Sequence, residues 1–460
     1  VTQQAGAEGG ASPPRSLYQR IEDVVVGIVR AVVVGLLVGI VFAISWQVLT
    51  RYVPGLPVPR WTEEVSLILM VWLAMVGSAL AVRTGEHLAM DILHRQVDPR
   101  LRDPLIRLVW LLAAAFGAYL VWYGWELSMR TMMQTFSATK WPIGWMYLGI
   151  PVGGVLMLFF SLKNFVLPPR STYDEAEERT TGRNPLVRLV FVVIVAALVV
   201  GVVALFGFDK LFGPIGALLG TFGVLLVLGV PIAFGLGIAS LVTVLILGLP
   251  PLIVAQRMAN GVNSTPLLAI PFFIMAGQLM AEGGIAARLV DFARVLVGPI
   301  RGGLAMVNVV ASMLFGGASG SAVGDVSANG SILIPMMKKK GYDTDFSVGI
   351  TVASSTQGLI IPPSHNAVIY SLAAGGVSIG ALFLGGYIPG IMIGLGLMAA
   401  SYLIALRRGY PSEPRPPLGQ SLRISLGAIP ALGVGFIIVG GIAFGFFTAT
   451  EAAAIGTVTA

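Results

Sequence analysis

The chain has 460 residues, 56% of them hydrophobic and 11% charged, with a net charge of +7 and no cysteine. Soluble domains carry about a quarter charged residues, so an ordinary soluble enzyme is excluded. The absent cysteines exclude disulfides, iron–sulfur clusters and thiolate zinc sites. Three scattered histidines (His87, His94, His365) argue against a haem subunit. A mean hydropathy of +0.87 leaves an all-α polytopic membrane protein, as transporter, channel or membrane-embedded enzyme. The cationic excess then reports cytoplasmic loops: membrane lipids are expected neighbours, and no nucleic acid is.

Residues 1–16 are rich in Gly, Ala, Ser and Pro and read as a disordered tail rather than a signal peptide. Membrane spans are predicted at 31–49, 65–82, 105–127 and 143–166, close to the ~20 apolar residues a bilayer requires. Lys and Arg concentrate in the tail, in the second loop (Arg83, Arg95, Arg100, Arg102, Arg107) and after the fourth span. Both ends of this block are therefore expected in the cytoplasm. Residues 168–185 (PPRSTYDEAEERTTGRNP) have linker chemistry, and 186–206 follow as a plain apolar span. This divides the chain into a four-helix membrane domain (1–167), a linker with a joining helix (168–210) and a second domain (211–460).

The second domain contains few ordinary spans. Residues 215–249 form two short arms hinged at Gly229-Val230-Pro231. Residues 252–280 are interrupted at Asn263-Ser264-Thr265-Pro266, residues 304–337 at 316–321, and residues 346–372 at Pro362-Pro363-Ser364. Such breaks expose backbone groups that lipid cannot satisfy, so they must be buried in protein or line a wet cavity. An amphipathic piece at 285–300 carries Arg288, Asp291 and Arg294 and is expected at the membrane interface.

Residues 445–454 (GFFTATEAAA) repeat the pattern of 261–270 (GVNSTPLLAI): a glycine, then hydroxyl residues at an apex. Paired breaks in two halves point to a transporter binding site. Loop charges, including Lys338-Lys339-Lys340 and Arg407-Arg408, suggest apices opening to opposite faces, an inverted repeat. The counterpart of the break at 316–321 would fall beyond Ala460, so further chain is expected.

The breaks supply the candidate chemistry. Freed carbonyls and the hydroxyls of Ser319 and Ser321 around Gly320 suit a hard cation, while half-helix N-termini suit an anion; close packing of small residues is the plain alternative. Asp325 (GDVSANG) is a costly carboxylate in an apolar span, marking an ion pathway or else capping the helix. Asn329 and Ser331 share its surroundings. Gln357, Pro362, Pro363, Ser364 and Asn366 flank a break that either lines a cavity or is a proline kink. Glu451, beside Thr448 and Thr450, reads first as a helix cap. Trp61, Glu63 and Glu64 read as interfacial anchors, and Arg83, Glu86, His87 and Asp91 as a polar brace. No GxxxxGK[ST] phosphate loop occurs, and no dense His, Asp or Cys cluster suggests an enzyme.

These residues carry a resemblance. Arg51-Tyr52, Trp61-Thr-Glu-Glu64 and 77–87 (GSALAVRTGEH) resemble the small four-helix subunit of TRAP (tripartite ATP-independent periplasmic) transporters. Residues 267–277 (LLAIPFFIMAG), 317–322 (GASGSA), 360–364 (IIPPS) and 448–454 (TATEAAA) resemble their large subunit. One departure is Ala449, where the family commonly has proline. The chain looks like a fusion of the two subunits. The resemblance implies a four-helix scaffold joined to an inverted-repeat transport domain of helical hairpins and broken helices. It also implies uptake of an organic acid, such as a sialic acid or C4-dicarboxylate, from a periplasmic substrate-binding protein across the bacterial inner membrane. Na⁺ would be the coupling ion, with no cofactor, and an elevator-like shift would move substrate. By the same resemblance, sodium sits at the apices and breaks (Asn263, Ser264, Ser319, Gly320, Ser321, Asp325, Gly445, Thr448, Thr450), and the substrate cavity includes Gln357, Pro362, Pro363, Ser364 and Asn366.

Overall fold

The computed structural model describes residues 17–84, 99–167 and 213–460. The tail, the linker with its joining helix, and Glu86, His87 and Asp91 lie outside the described residues. Among the described residues all regular structure is helical, apart from one isolated bridge between Thr135 and Pro142. Six helices among the described residues are long and apolar enough to cross a membrane. The residues group into two compact units: 1–38 with 68–262, and 39–67 with 263–460.

The first unit is built on α2 (Trp61–Thr84), α3 (Pro99–Thr131), the single turn α4 (Gly144–Tyr147) and α5 (Gly149–Val166), with the first half of α1 (Leu17–Tyr52). α1 begins well before the span predicted at 31, because the polar residues 17–23 continue the helix beyond its apolar stretch. Small residues let the helices approach closely. A Cβ on Gly153 would lie 2.8 Å from the Met75 carbonyl oxygen, and one on Gly154 would lie 3.0 Å from Leu120 Cβ. Val71, Met75, Phe116, Leu120, Ile150 and Phe160 fill the core. Polar groups gather toward the helix ends, where Glu22 accepts from Arg83 (3.0 Å) and Lys163 (2.5 Å).

The same unit continues through α6 (Pro214–Val227) and α7 (Ile232–Ile246), hinged as the Gly229–Pro231 pattern predicts, into α8 (Leu252–Val262). The Tyr119 hydroxyl donates to the Pro251 carbonyl (2.7 Å) and accepts from Ala255 N (3.1 Å), while Tyr147 donates to Asn260 Oδ1 (3.1 Å). The arm before the Asn263 break thus belongs to the first unit, and the arm after it to the second.

The second unit contains the α1–α2 corner (39–67) and the helices from Asn263 onward. A 3₁₀ turn (Thr265–Leu268) opens α9 (Ala269–Glu282), followed by α10 (Ile285–Val297), α11 (Gly303–Ser319), α12 (Ala322–Lys339) and α13 (Thr344–Ser355). A second 3₁₀ turn (Thr356–Leu359) leads to α14 (His365–Ala373), α15 (Ile379–Arg408), α16 (Leu418–Ala443) and α17 (Ala449–Thr459). α10 buries Ala286, Leu289, Val290 and Ala293 among residues of α11, α12 and α16, so its apolar face is a protein seam. On its charged side Arg294 reaches Glu413 (2.9 Å).

Candidate functional site

The break expected over 316–321 is narrower in the structure. Helix α11 continues through Gly316 to Ser319, because glycines accept helical angles as readily as others. Only Gly320 turns left-handed (φ +63°), and Ser321 caps α12, its hydroxyl accepting from Gly324 N at 3.2 Å. Gly316 serves packing instead, since any Cβ there would strike the backbone of Gly358. At Gly320 a Cβ would lie 3.0 Å from the Pro363 carbonyl oxygen and 3.3 Å from His365 Nδ1. The Gly320 break and the Pro362–Ser364 break therefore meet.

Around that meeting point runs a buried polar seam. Asn308 Nδ2 donates to Thr351 Oγ1 (2.6 Å), and the Asn308 carbonyl accepts from Ser354 Oγ (3.2 Å). Ser312 and Ser354 share a hydrogen bond (3.1 Å), and Ser355 donates to the Thr351 carbonyl (2.6 Å). Asn329 Nδ2 donates to Asp325 Oδ1 at 2.5 Å, one turn along α12. Every one of these side chains is fully buried, as is Gln357. Ser312 and Ser355 stand beside the Asp325 carboxyl, but Asp325 Oδ2 lacks a hydrogen-bond partner. Asn329 Oδ1, both amide atoms of Gln357 and His365 Nδ1 lack one too. Burying such groups unpaired costs roughly 1–3 kcal/mol each.

The remaining candidates take separate positions. Ser364 is buried and donates to the Leu359 carbonyl (2.7 Å), whereas Asn366 is exposed. Pro362–Pro363 is cis. Ser264 is extended ahead of the first 3₁₀ turn without a capping bond, and Asn263 Oδ1 is buried and unpaired. Gly445 is left-handed (φ +75°), and Thr448 and Glu451 form a complete capping box on α17. That is the cap read from sequence. Thr450 Oγ1 donates to the Thr265 carbonyl (2.9 Å), and seven residues on Thr457 Oγ1 donates to the Phe272 carbonyl (2.9 Å). The constant register makes α9 and α17 run side by side in the same direction, so the two matched apices are parallel neighbours rather than opposed arms.

Sequence reading missed Asn308, Ser312, Thr351, Ser354 and Ser355. Their signal was present as polar residues four apart (308 and 312; 351 and 355) on otherwise apolar helices, a spacing that places them on one face. They passed unnoticed because neither helix is broken there.

Unpaired buried oxygens thus lie beside breaks in the helices of a multi-pass helical protein, a placement that in membrane proteins commonly accompanies transport. Comparison with known proteins supplies the family. Residues 219–460 match the family described as "Tripartite ATP-independent periplasmic transporter, DctM component", and residues 40–170 match the DctQ component. The chain belongs to the tripartite ATP-independent periplasmic transporters and is a multi-pass protein of the bacterial inner membrane.

The isethionate TRAP transporter permease protein DctMQ of Oleidesulfovibrio alaskensis is 34% identical over 432 residues, covering 91% of this chain and 65% of that protein. The sialic acid TRAP transporter permease protein SiaT of Haemophilus influenzae is 32% identical, covering 89% and 66%. The uncharacterized protein YgiK of Salmonella typhimurium is 48% identical over 249 residues, covering 53% and 57%. The chain thus spans less than two thirds of the length of these curated relatives. The relatives with assigned roles are named as transporter permeases, not enzymes.

Proposed function

We propose that this chain is the membrane permease of a carrier that imports an organic anion handed over by a periplasmic substrate-binding protein, with Na⁺ as the coupling ion. The observation that carries the reading is the cluster of unpaired buried oxygens, Asp325 Oδ2, Asn329 Oδ1 and Gln357 Oε1, in the seam beside the Gly320 break. Oxygen-only donors suit a hard cation. The Asp325 carboxylate would offset its charge, and carbonyls freed near Gly320 would complete the shell. Ser264, Ser319, Ser321, Thr448 and Thr450 lie at the breaks and apices that would form further cation contacts.

An anionic substrate is supported by two features. The helix N-terminus after Ser364, which no side chain caps, presents free N–H groups, which favour negative charge, and the one after Ser321 is only partly capped. Matched relatives are named for isethionate, sialic acid and C4-dicarboxylates. Substrate would enter near Gln357, Pro362, Pro363, Ser364 and Asn366, and the second domain would move as the elevator while the four-helix block acts as scaffold.

The test is uptake into vesicles under an imposed sodium gradient, with and without the binding protein. Labelled isethionate, sialic acid and succinate are each offered, with other organic acids as competitors. Uptake that requires both components is expected. Uptake without either, or competition only by neutral or cationic solutes, would refute the reading.

A further inference from the structure

The two apices share a grip that the seam does not explain. Within the second unit, the α1–α2 corner reaches both. Arg51 Nη1 pairs with Glu451 Oε1 at 2.6 Å. The Tyr52 hydroxyl donates to the Phe446 carbonyl (3.0 Å), and its ring meets Phe447 edge-on with centroids 5.3 Å apart. Glu63 Oε1 accepts from Thr265 Oγ1 (2.9 Å), and Thr265 in turn accepts from Thr450. Arg51, Tyr52 and Glu63 lie in the segment that matches the DctQ component, and their partners lie in the segment that matches the DctM component.

The Glu451 carboxylate divides its work. Oε2 serves chiefly the hairpin, accepting from Thr448 N (2.9 Å) and Thr448 Oγ1 (3.0 Å), with the Tyr52 hydroxyl more distant at 3.5 Å. Oε1 is committed outward, to Arg51. Releasing Arg51 therefore leaves the capping box intact, and α17 keeps its N-terminus satisfied. The grip also differs in kind from the seam behind it. Arg51, Tyr52, Phe446 and Glu63 lie at the surface, while Ala452, Ala453 and Ala454 of α17 are buried. The contacts are few, and the corner's side of each is exposed while Glu451 itself is buried, so the corner can withdraw with Glu451 still held by its own capping box. Gly445, left-handed with open space around it, supplies a joint directly before the gripped turn.

We propose that the α1–α2 corner is a latch: Arg51, Tyr52 and Glu63 hold the apices at Thr265 and Phe446–Glu451 closed in one state of the cycle and let go in another. The requirement for release during uptake rests on the transport reading above; the closed grip itself does not.

Two measurements test the latch. In the first, Tyr52→Cys and Phe446→Cys are combined in a protein whose residues 1–460 contain no other cysteine, and joined with a reducible thiol crosslinker. Crosslinking should abolish sodium-dependent uptake, and reduction should restore it; full uptake with the crosslink complete would overturn the latch. In the second, hydrogen exchange is followed at residues 446–450 in Na⁺ and in K⁺. Arg51→Gln should speed it roughly fivefold while Ala452–Ala454 stay protected, and Arg51→Lys should fall between. Unchanged exchange in Arg51→Gln would overturn the closed grip. If the unmodified protein shows no uptake under any condition, the transport reading fails, and hydrogen exchange still decides the grip.

Discussion

The two compact units solve the burial of helices in opposite ways. The first packs small and apolar residues, with Gly153 and Gly154 allowing helices to touch, and confines charge to pairs near helix ends such as Glu22 with Arg83 and Lys163. The second buries Asn308, Ser312, Asp325, Asn329, Thr351, Ser354 and Gln357 completely and leaves several of their polar atoms unpaired. Polar groups at membrane depth are costly and persist where they serve transport or ion binding. Among the described residues the first unit leaves one buried side-chain atom, Ser161 Oγ, without a partner, and the second leaves six, at Asn263, Asp325, Asn329, Gln357 and His365.

Four experiments would break or sharpen that contrast, in descending order of expected effect. Gly153→Val should lower stability by about 3 kcal/mol, because its Cβ would enter contact distance of the Met75 backbone. Thermal unfolding in detergent measures the loss, and the folded fraction should keep its sodium midpoint; a shifted midpoint would give the first unit a part in ion binding. Asn308→Ala should cost about 2 kcal/mol by removing two buried hydrogen bonds of the seam, although Thr351 and Ser354 keep bonds of their own. Unlike Gly153→Val it should also weaken sodium dependence, since it loosens the wall beside Asp325.

Glu22→Gln should cost about 1–2 kcal/mol. It weakens a carboxylate held by two partly exposed cations, so the buried-pair penalty is discounted for solvent screening. Sodium dependence should again be untouched. The smallest effect concerns Glu413, in the segment between α15 and α16. Burial pushes its carboxyl up, but hydrogen bonds and charge from Arg294 and Lys340 outweigh that and hold it below the usual glutamate range. A carboxyl lowered in the folded state stabilises fully above its ordinary value and loses that contribution as pH falls through its folded value. Stability should thus decline on acidification below the ordinary glutamate range, by under about 1 kcal/mol, and Glu413→Gln should flatten the decline. An unaltered pH profile in that variant would remove the ion pairs from the account.

Much of the fold was legible because lipid imposes simple rules. Four apolar runs and the hinge before Pro231 predicted the corresponding helices, and the TATE stretch at 448–451 predicted its capping box. The breaks were legible in place but not in width. Glycine signals both a turn and close packing, and only the structure separates Gly320, which turns, from Gly316, which packs against Gly358. Asp325 was legible as a lone acid in an apolar run. The Asn308–Ser354 ladder was not, because serine and threonine bond their own helix so readily that spacing alone does not distinguish a site from a satisfied side chain. The division of residues between units was hidden as well. It depends on tertiary bonds such as those of Tyr119 and Tyr147 to α8, which leave no local pattern.

The central claim is that the buried oxygens near Gly320 receive the coupling ion, with the Asp325 carboxylate at their centre. A sodium titration of uptake by Asp325→Asn, read beside its thermal stability, tests this most directly. Asn keeps the shape and a hydrogen bond to Asn329 but removes the charge. The account predicts a clearly raised half-maximal sodium concentration in a protein that unfolds at the normal temperature. An unchanged sodium midpoint with lowered stability would contradict it and make Asp325 a structural cap of α12.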